Sequence, residues 1–122
     1  MMEKHKEENL KMTEKIKVLI VETGREPYTA EIEAGLSSLQ KIIGGTIQVI
    51  YPFIDEVAVI VHDEGKLIGL PWNRPMYDEE GRICDILVGT FLVVGLTEDD
   101  FGSLSTEMIQ KYTKVFALEN GI

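Results

Sequence analysis

The sequence predicts an α+β fold, in which a mainly antiparallel sheet of about five to seven strands carries two helices packed on one face. Most of the apolar segments are short, rich in β-branched residues and bounded by Gly, Pro or Asp, which is typical of strands. Only two segments have the spacing of an amphipathic helix. The connections between segments are short, which favours hairpins over crossovers. The predicted order along the chain is β-β-α-β-β-β-β-α.

The first third of the chain predicts a hairpin and a helix. Residues 15–22 (KIKVLIVE) are rich in β-branched side chains, a Gly-Arg-Glu-Pro turn follows, and residues 28–33 alternate between apolar and polar. Apolar residues then recur at helical spacing over residues 36–43, and two glycines supply a stop. This helix has only about two turns, so we expect it to be stable only when it packs on the sheet.

The middle of the chain predicts three more strands and an irregular crossing. Residues 46–53 alternate between apolar and polar, and residues 57–62 are nearly all apolar, which is typical of a central strand. An Asp-Glu-Gly turn then predicts a return strand over residues 66–70. Residues 71–77 (PWNRPMY) fit no period, and their two prolines indicate an ordered but irregular loop.

The last third predicts an interrupted strand and the best-marked helix. Residues 82–96 are too long for a single strand, so Gly89 is expected to mark a bulge or a break. Ser105 is a good N-cap for the closing helix. The predicted core face of that helix consists of Met108, Ile109, Tyr112, Val115 and Phe116.

The same patterns suggest one domain with a short tail. Residues 1–12 are polar and dense in charge, so we expect a disordered or weakly helical tail, with residues 13–122 forming a single domain. Met1 and Met12 are both candidate translation starts. No apolar run approaches the roughly 18 residues that a spanning helix needs, and no secretory signal is recognisable. We therefore expect no membrane association and a cytoplasmic location.

Few side chains in the sequence are suited to catalysis. Cys84 is the only cysteine, and its apolar neighbours favour a buried small side chain over a nucleophile activated by His62. With His5 as the only other histidine, a zinc site would need carboxylates for most of its ligands. The common phosphate-binding, metalloprotease and hydrolase motifs are absent from the sequence. We predict no catalytic residue, no metal site and no cofactor.

The charge of the chain indicates which partners it favours. Its net charge is −9, from 21 acidic and 12 basic residues, and the acids and bases of the tail cancel. Such a field disfavours nucleic acid and favours a protein partner with a basic surface. Ten of the acids lie in predicted turns at residues 55–56, 63–64, 78–80 and 98–100. Turns favour solvated Asp, but several turns gathered at one end of the sheet would form an acidic rim.

The irregular PWNRPMY segment is the candidate binding site. Trp72, Asn73, Arg74 and Tyr77 are residue types that recur at binding hot spots, on a backbone stiffened by two prolines. The structural alternative is that Trp72 covers a sheet edge while Arg74 pairs with a turn acid. Asp85 lies between apolar neighbours and either faces solvent or is the internal partner of Arg74. The predicted binding residues are therefore Trp72, Asn73, Arg74, Tyr77 and Asp85.

Three segments resemble a known family. They read KVLIVETGREPYTAEIEAGLSSLQKIIGG, NRPMYDEEGRICDILVGTFLVVG and DFGSLSTEMIQKY, and together they cover nearly all of residues 15–117. The patterns V-E-x-G-x-x-P, L-Q-x-I-x-G-G and D-I-x-x-G-T-F occur in this order, as in the small domain catalogued as domain of unknown function 3846. The resemblance implies a short protein of phages, plasmids or other mobile elements of anaerobic bacteria. It implies no activity and no catalytic residue.

Two functions are consistent with these observations. The first is a non-enzymatic binding or regulatory module of a mobile genetic element, for example an inhibitor of a host defence protein. The second is a domain that sequesters or senses a small ligand such as a signalling nucleotide, with Trp72 and Tyr77 stacking on a ring and Arg74 holding a phosphate. A pocket that joins Trp72, Arg74 and Asp85 would favour the ligand, whereas a flat acidic face would favour a protein partner.

Overall fold

A computed structural model describes residues 14–121, so the predicted tail, residues 1–12, lies outside the described residues. The described elements follow the predicted α+β order, with strands, a helix, further strands and a final helix. They are β1 (Lys15–Val21), β2 (Tyr28–Glu33), α1 (Leu36–Ile43), β3 (Ile47–Ile50), β4 (Val57–His62), β5 (Trp72–Tyr77), β6 (Ile83–Val88), β7 (Phe91–Leu96), β8 (Phe101–Gly102), α2 (Thr106–Val115) and a closing 3₁₀ turn (Leu118–Asn120).

The main sheet has six strands and the second sheet has two. The strand order of the main sheet is β2-β1-β7-β4-β3, and its sixth strand, the two-residue β8, pairs with β7. Strands β5 and β6 form a separate hairpin. Every described strand pair is antiparallel, as predicted.

The two helices lie on opposite faces of the main sheet, so the prediction that both pack on one face is wrong. Along β4, Val57, Val59 and Val61 belong to the core under α2 and the β5–β6 hairpin. Ala58 and Ile60 belong to the core under α1. The central strands are apolar on both faces, and each apolar face must be covered to leave water.

The segment between β4 and β5 also differs from the prediction. Residues 66–70 do not form a return strand, because Ile68 N–H donates to the Glu64 carbonyl and Leu70 N–H to the Gly65 carbonyl. These bonds wind the segment into turns, and Gly69 ends it with a φ of +75°. The strand that follows β4 is instead formed by residues 72–77, the segment predicted as an irregular loop.

The predicted break at Gly89 is confirmed. Its φ of +70° turns the chain between β6 and β7, and its N–H donates to the Pro71 carbonyl at 2.8 Å. The positive φ favours glycine at this position, and a Cβ here would lie 2.7 Å from the end of the Leu70 side chain, which would have to shift. The turn sends β6 into the hairpin layer and β7 into the centre of the main sheet.

Helix α2 begins and packs as its sequence indicates. The Ser105 side chain accepts a hydrogen bond from Met108 N–H at 3.1 Å, which caps the helix. Tyr112 and Phe116 are buried against the sheet, while Val115 is 41% exposed and does not join the core. Within the described residues, no helix is long and apolar enough to cross a bilayer.

Candidate functional site

The predicted binding segment is a strand with two different environments. Trp72 and Tyr77, at its ends, are 62% and 54% exposed, whereas Asn73 and Arg74 are buried. The pairing register with β6 shifts between Trp72 and Arg74, which is the signature of a bulge. A strand without the shift would alternate sides, so the bulge allows Asn73 and Arg74 to be buried consecutively.

Asn73 joins the hairpin to the main sheet. Its Nδ2 donates to the carbonyls of Val21 at 3.0 Å and Gly89 at 2.8 Å. Its Oδ1 accepts from Arg74 Nη1 at 2.7 Å. The side chain therefore satisfies two carbonyls at the ends of neighbouring segments, which is a structural role.

Arg74 is almost fully buried, at 1% exposure, and it binds backbone. Its Nε donates to the Phe116 carbonyl at 2.9 Å, and its Nη2 donates to the Arg25 carbonyl at 2.6 Å. Burial lowers the pKa of Arg74, and the negative charge of Glu26 opposes that shift. The guanidinium stays charged because its ordinary pKa is so high. It lies at the C-terminal end of α2, where the helix dipole favours a cation.

Of the two alternatives for Asp85, the structure shows the one in which it faces solvent, and it does not pair with Arg74. Among the described residues no carboxylate forms a salt bridge with Arg74, and Asp85 instead pairs with Lys66 Nζ. Asp85 Oδ1 also accepts the N–H of Ile86 at 2.8 Å. The side chain of Asp85 is 45% exposed and that of Lys66 is 62% exposed, so this ion pair is at the surface.

The exposed side of the hairpin carries an apolar surface. Trp72, Ile83 and Cys84 line a shallow groove together with Lys66, Asp85 and Ile86. We call these six residues the outer hairpin surface. Cys84 is exposed, so its predicted burial is wrong, because this part of β6 faces solvent.

A half-enclosed cavity of about 230 Å³ adjoins this surface. The cavity and the groove share Lys66, Asp85, Ile86 and the buried Val88, and the exposed Leu67 also lines the cavity. On the opposite wall lie Gln48 and Ile50 of β3. The cavity therefore lies between β6 and the β3 edge of the main sheet.

The rim of the cavity is mainly acidic. Asp63, Glu64 and Asp85 line it, and Lys66 is its one described lysine. His62 also lines it, with its Nδ1 accepting from Glu64 N–H at 3.0 Å. Neither Trp72 nor Arg74 lines the cavity, so it is not the pocket joining Trp72, Arg74 and Asp85 that would favour a small ligand.

Two of the four acidic turns meet at one end of the main sheet. Strand β4 begins after residues 55–56 and β7 ends before residues 98–100, and Leu96 N–H donates to the Glu56 carbonyl across that end. Residues 63–64 lie at the opposite end, and residues 78–80 lie at the tip of the hairpin. The rim that the sequence suggested therefore gathers only half of these turns.

Asp55, in one of these turns, has a packing role. Its Oδ2 accepts from Lys111 Nζ at 2.6 Å and from the Tyr112 hydroxyl at 2.7 Å. These bonds hold the pKa of Asp55 below its ordinary value, while burial and the same carboxylate raise the pKa of Tyr112. The turn is thereby fastened to α2. No cluster of three or more metal-ligating side chains occurs within residues 14–121.

Comparison with protein families places residues 16–117 in the Domain of unknown function (DUF3846). The chain belongs to this family. No curated protein and no solved structure matches the chain. The three sequence patterns that resembled the family lie at the β1–β2 turn, at the end of α1 and around the β6–β7 turn, so the shared residues include those that connect the elements of the fold.

Several residues of this site were missed by the sequence analysis. Lys66 and Ile86 line both the groove and the cavity with Asp85, and Leu67 lines the cavity, but of these four residues only Asp85 was predicted. The segment GKLIG carried a signal, because a glycine on each side of two apolar residues is typical of an exposed turn. Alternation over so few residues does not distinguish such a turn from a strand.

Proposed function

We propose that the protein is a non-enzymatic binding module whose protein partner docks on the outer hairpin surface. The observation that carries this proposal is the exposure of Trp72 at 62% and Ile83 at 56% on one groove, with Leu67 at 85% beside it. Exposed apolar side chains gathered in one place favour a protein contact, and tryptophan is the residue type most enriched at binding hot spots.

The scaffold under this surface is rigid, which favours binding. Asn73 and Arg74 hold the hairpin against the rest of the fold through four hydrogen bonds to backbone carbonyls, those of Val21, Gly89, Phe116 and Arg25. A fifth bond joins the two side chains to each other. A side chain held on such a support loses little further entropy when a partner docks. The buried pair thus contributes to binding indirectly, by positioning Trp72.

The charge of the molecule favours a partner with a basic surface. The net charge is −9, and the acidic side chains of Asp63, Glu64 and Asp85 border the apolar surface. Opposite charges around an apolar contact speed association and exclude wrong partners. In the genomic setting that the family resemblance implies, such a partner is a host protein, and regulation or inhibition of a host defence protein is the function we propose.

A signalling nucleotide is less well supported as the ligand. Its phosphates would need a cation, but Arg74 is buried on backbone carbonyls and Lys66 pairs with Asp85. The acidic groups at the cavity rim would repel phosphate. Lys66, the one lysine that lines both the cavity and the groove, is thus already paired with a carboxylate and does not offer the free cation on which that function depends.

Affinity capture with matched variants tests the proposal. The double variant Leu67→Ser with Trp72→Ser removes two exposed side chains of the site, and Leu36→Ser removes one on α1, on the opposite face. We expect one basic protein of the host extract to be retained by the wild type and by Leu36→Ser. Its recovery should fall by about tenfold with the double variant, which corresponds to about 1.4 kcal/mol. Equal loss with Leu36→Ser, or no difference among the three baits, would contradict the proposal.

A further inference from the structure

The free edge of β6 has a backbone that is ready to pair. In an antiparallel ladder, the two residues of a pair direct their N–H and C=O groups either both inward or both outward. Ile86 pairs with Pro75, which has no N–H and is compatible with an outward position. Ile86 therefore directs its N–H and C=O away from β5. In the described part of the chain, β6 has no strand on that second edge.

The outward N–H of Ile86 is occupied by a neighbouring side chain. It donates to Asp85 Oδ1 at 2.8 Å, and the same oxygen accepts from Lys66 Nζ. Both side chains of this ion pair are half exposed, and such pairs contribute little to stability. An incoming carbonyl could thus replace the Asp85 carboxylate at small cost. This is the bond that a strand added to β6 would make.

The cavity beside this edge has room for the side chains of an added strand. It lies between β6 and the β3 side chains Gln48 and Ile50, and its volume is about 230 Å³. Val61 and Leu87 make its floor apolar. In an added strand, alternate side chains would point into the cavity and the others toward the rim.

The charges around the cavity select the occupant. Asp63, Glu64 and Asp85 line the cavity, and Lys66 is the one lysine among its lining residues, so the acidic side chains outnumber it. A second copy of this chain is disfavoured because each copy carries a net charge of −9. A segment with lysine or arginine at the outward positions satisfies the rim.

We propose that the partner docks by adding an extended segment to the free edge of β6, with apolar side chains in the cavity and cationic side chains between them. This inference rests on the proposed function and specifies its mode of contact. Backbone bonds to Ile86 supply the pairing, the cavity selects the apolar residues, and the acidic rim selects the cations.

Nuclear magnetic resonance of the full chain with a defined probe tests this mode. The probe is a short capped peptide of alternating valine and lysine, and its control alternates valine and glutamate. We expect the valine–lysine peptide to slow amide hydrogen exchange at Ile86 and to shift the signals of Gln48 and Ile50. The valine–glutamate peptide should leave them unchanged.

Two variants at one position separate backbone pairing from side-chain contact. Ile86→Pro removes the outward N–H, whereas Ile86→Ala keeps it and shortens the side chain. We expect Ile86→Pro to weaken binding of the valine–lysine peptide by about tenfold or more, and Ile86→Ala to weaken it by less than about threefold. Should Ile86→Pro fail to fold, protection of the Ile86 amide in the wild type decides the question alone.

The failures are distinguishable. Peptide shifts confined to Trp72 and Ile83, with Ile86 unprotected, would overturn strand addition and leave the proposed function standing. Equal binding of the valine–glutamate peptide would overturn the selection for cations. If neither peptide binds, strand addition is overturned, and the capture experiment with Leu67 and Trp72 judges the proposed function independently.

Discussion

The inner and outer sides of the β5–β6 hairpin differ in how completely their groups are used. On the inner side, Asn73 and Arg74 are buried and donate to carbonyls of four different segments, and Met76 and Leu87 complete the core. On the outer side, Trp72 and Ile83 remain exposed. The difference teaches that one short strand, β5, both holds the hairpin against the main sheet through its buried polar side chains and presents an exposed aromatic side chain at its end.

The inner side also draws on the aromatic core under α2. Phe116 packs edge-on against Phe91 with ring centroids 5.0 Å apart, and Phe53 lies 4.7 Å from Tyr112 by the same measure. The carbonyl of Phe116 is the acceptor for Arg74 Nε. The end of α2 is therefore held by apolar packing and by a charged hydrogen bond at the same residue.

The largest effect on stability should come from Arg74→Ala. It would leave the carbonyls of Phe116 and Arg25 and the Asn73 side chain without their donor, at about 1–3 kcal/mol for each buried group. We expect a loss of about 4 kcal/mol in the free energy of unfolding, measured by urea denaturation. Arg74→Lys should recover only part of it, because an ammonium cannot reproduce the fork. If Arg74→Ala were as stable as the wild type, the hydrogen bonds on the inner side would not be what holds the hairpin to the rest of the fold.

Phe116→Ala should cost about 3 kcal/mol, which is usual for a deleted core aromatic. Phe116 is 1% exposed, and its ring contacts Phe91 and Phe53. Val115→Ala, one residue earlier and 41% exposed, is the control and should cost much less. A loss below about 1 kcal/mol for Phe116→Ala would mean that α2 contributes little to the core.

Asp55→Asn should change how stability depends on pH. Hydrogen bonds from Lys111 and Tyr112 lower the pKa of Asp55 in the folded state, so ionisation stabilises the fold above the unfolded pKa of about 4. That stabilisation is lost as the pH falls through the folded pKa. We expect Asp55→Asn to be less stable than the wild type at neutral pH, with the difference shrinking below about pH 4. Melting curves across that range measure it, and a difference independent of pH would exclude the carboxylate as its cause.

The smallest effect on stability is expected on the outer side. Trp72→Ser should change the free energy of unfolding by less than about 1 kcal/mol, because substitutions of exposed residues away from special features cost little. Combined with Leu67→Ser, the same substitution should weaken binding of the protein partner. Comparing its urea midpoint with that of Arg74→Ala tests the contrast between the two sides directly. Two similar losses would erase it.

Element types were more predictable than their assembly. The hairpin β1–β2, helix α1, strand β4 and helix α2 followed from periodicity and caps, and Gly89 was identified as a break. Residues 66–70 were predicted as a strand but form turns, and residues 72–77 were predicted as a loop but form a strand. Over such short segments the local pattern does not distinguish the two, and pairing with a distant segment decides between them. Prolines suggested a loop at Pro75, but an edge position accepts proline without losing a bond.

The candidate site was predicted in part. Trp72 is exposed and lines the groove, and Tyr77 is exposed but lines neither the groove nor the cavity. Asn73 and Arg74 are enclosed by residues distant in sequence. Asp85 is at the surface with Lys66, a partner that no local pattern indicated. A sequence shows which side chains are able to bind, but burial depends on which segments fold over them.

The sequence by itself determined the α+β class, the antiparallel pairing, the acidic charge and the membership in the family, because these depend on local pattern and composition. The tertiary structure alone decided that the helices cover opposite faces, that Arg74 has a structural role in holding the hairpin and that the free edge of β6 borders a cavity. The physical reason is that Arg74 meets the carbonyls of Arg25 and Phe116 only after the hairpin, the main sheet and α2 have packed. Those contacts join residues 49 and 42 positions apart, a separation that no local sequence pattern encodes.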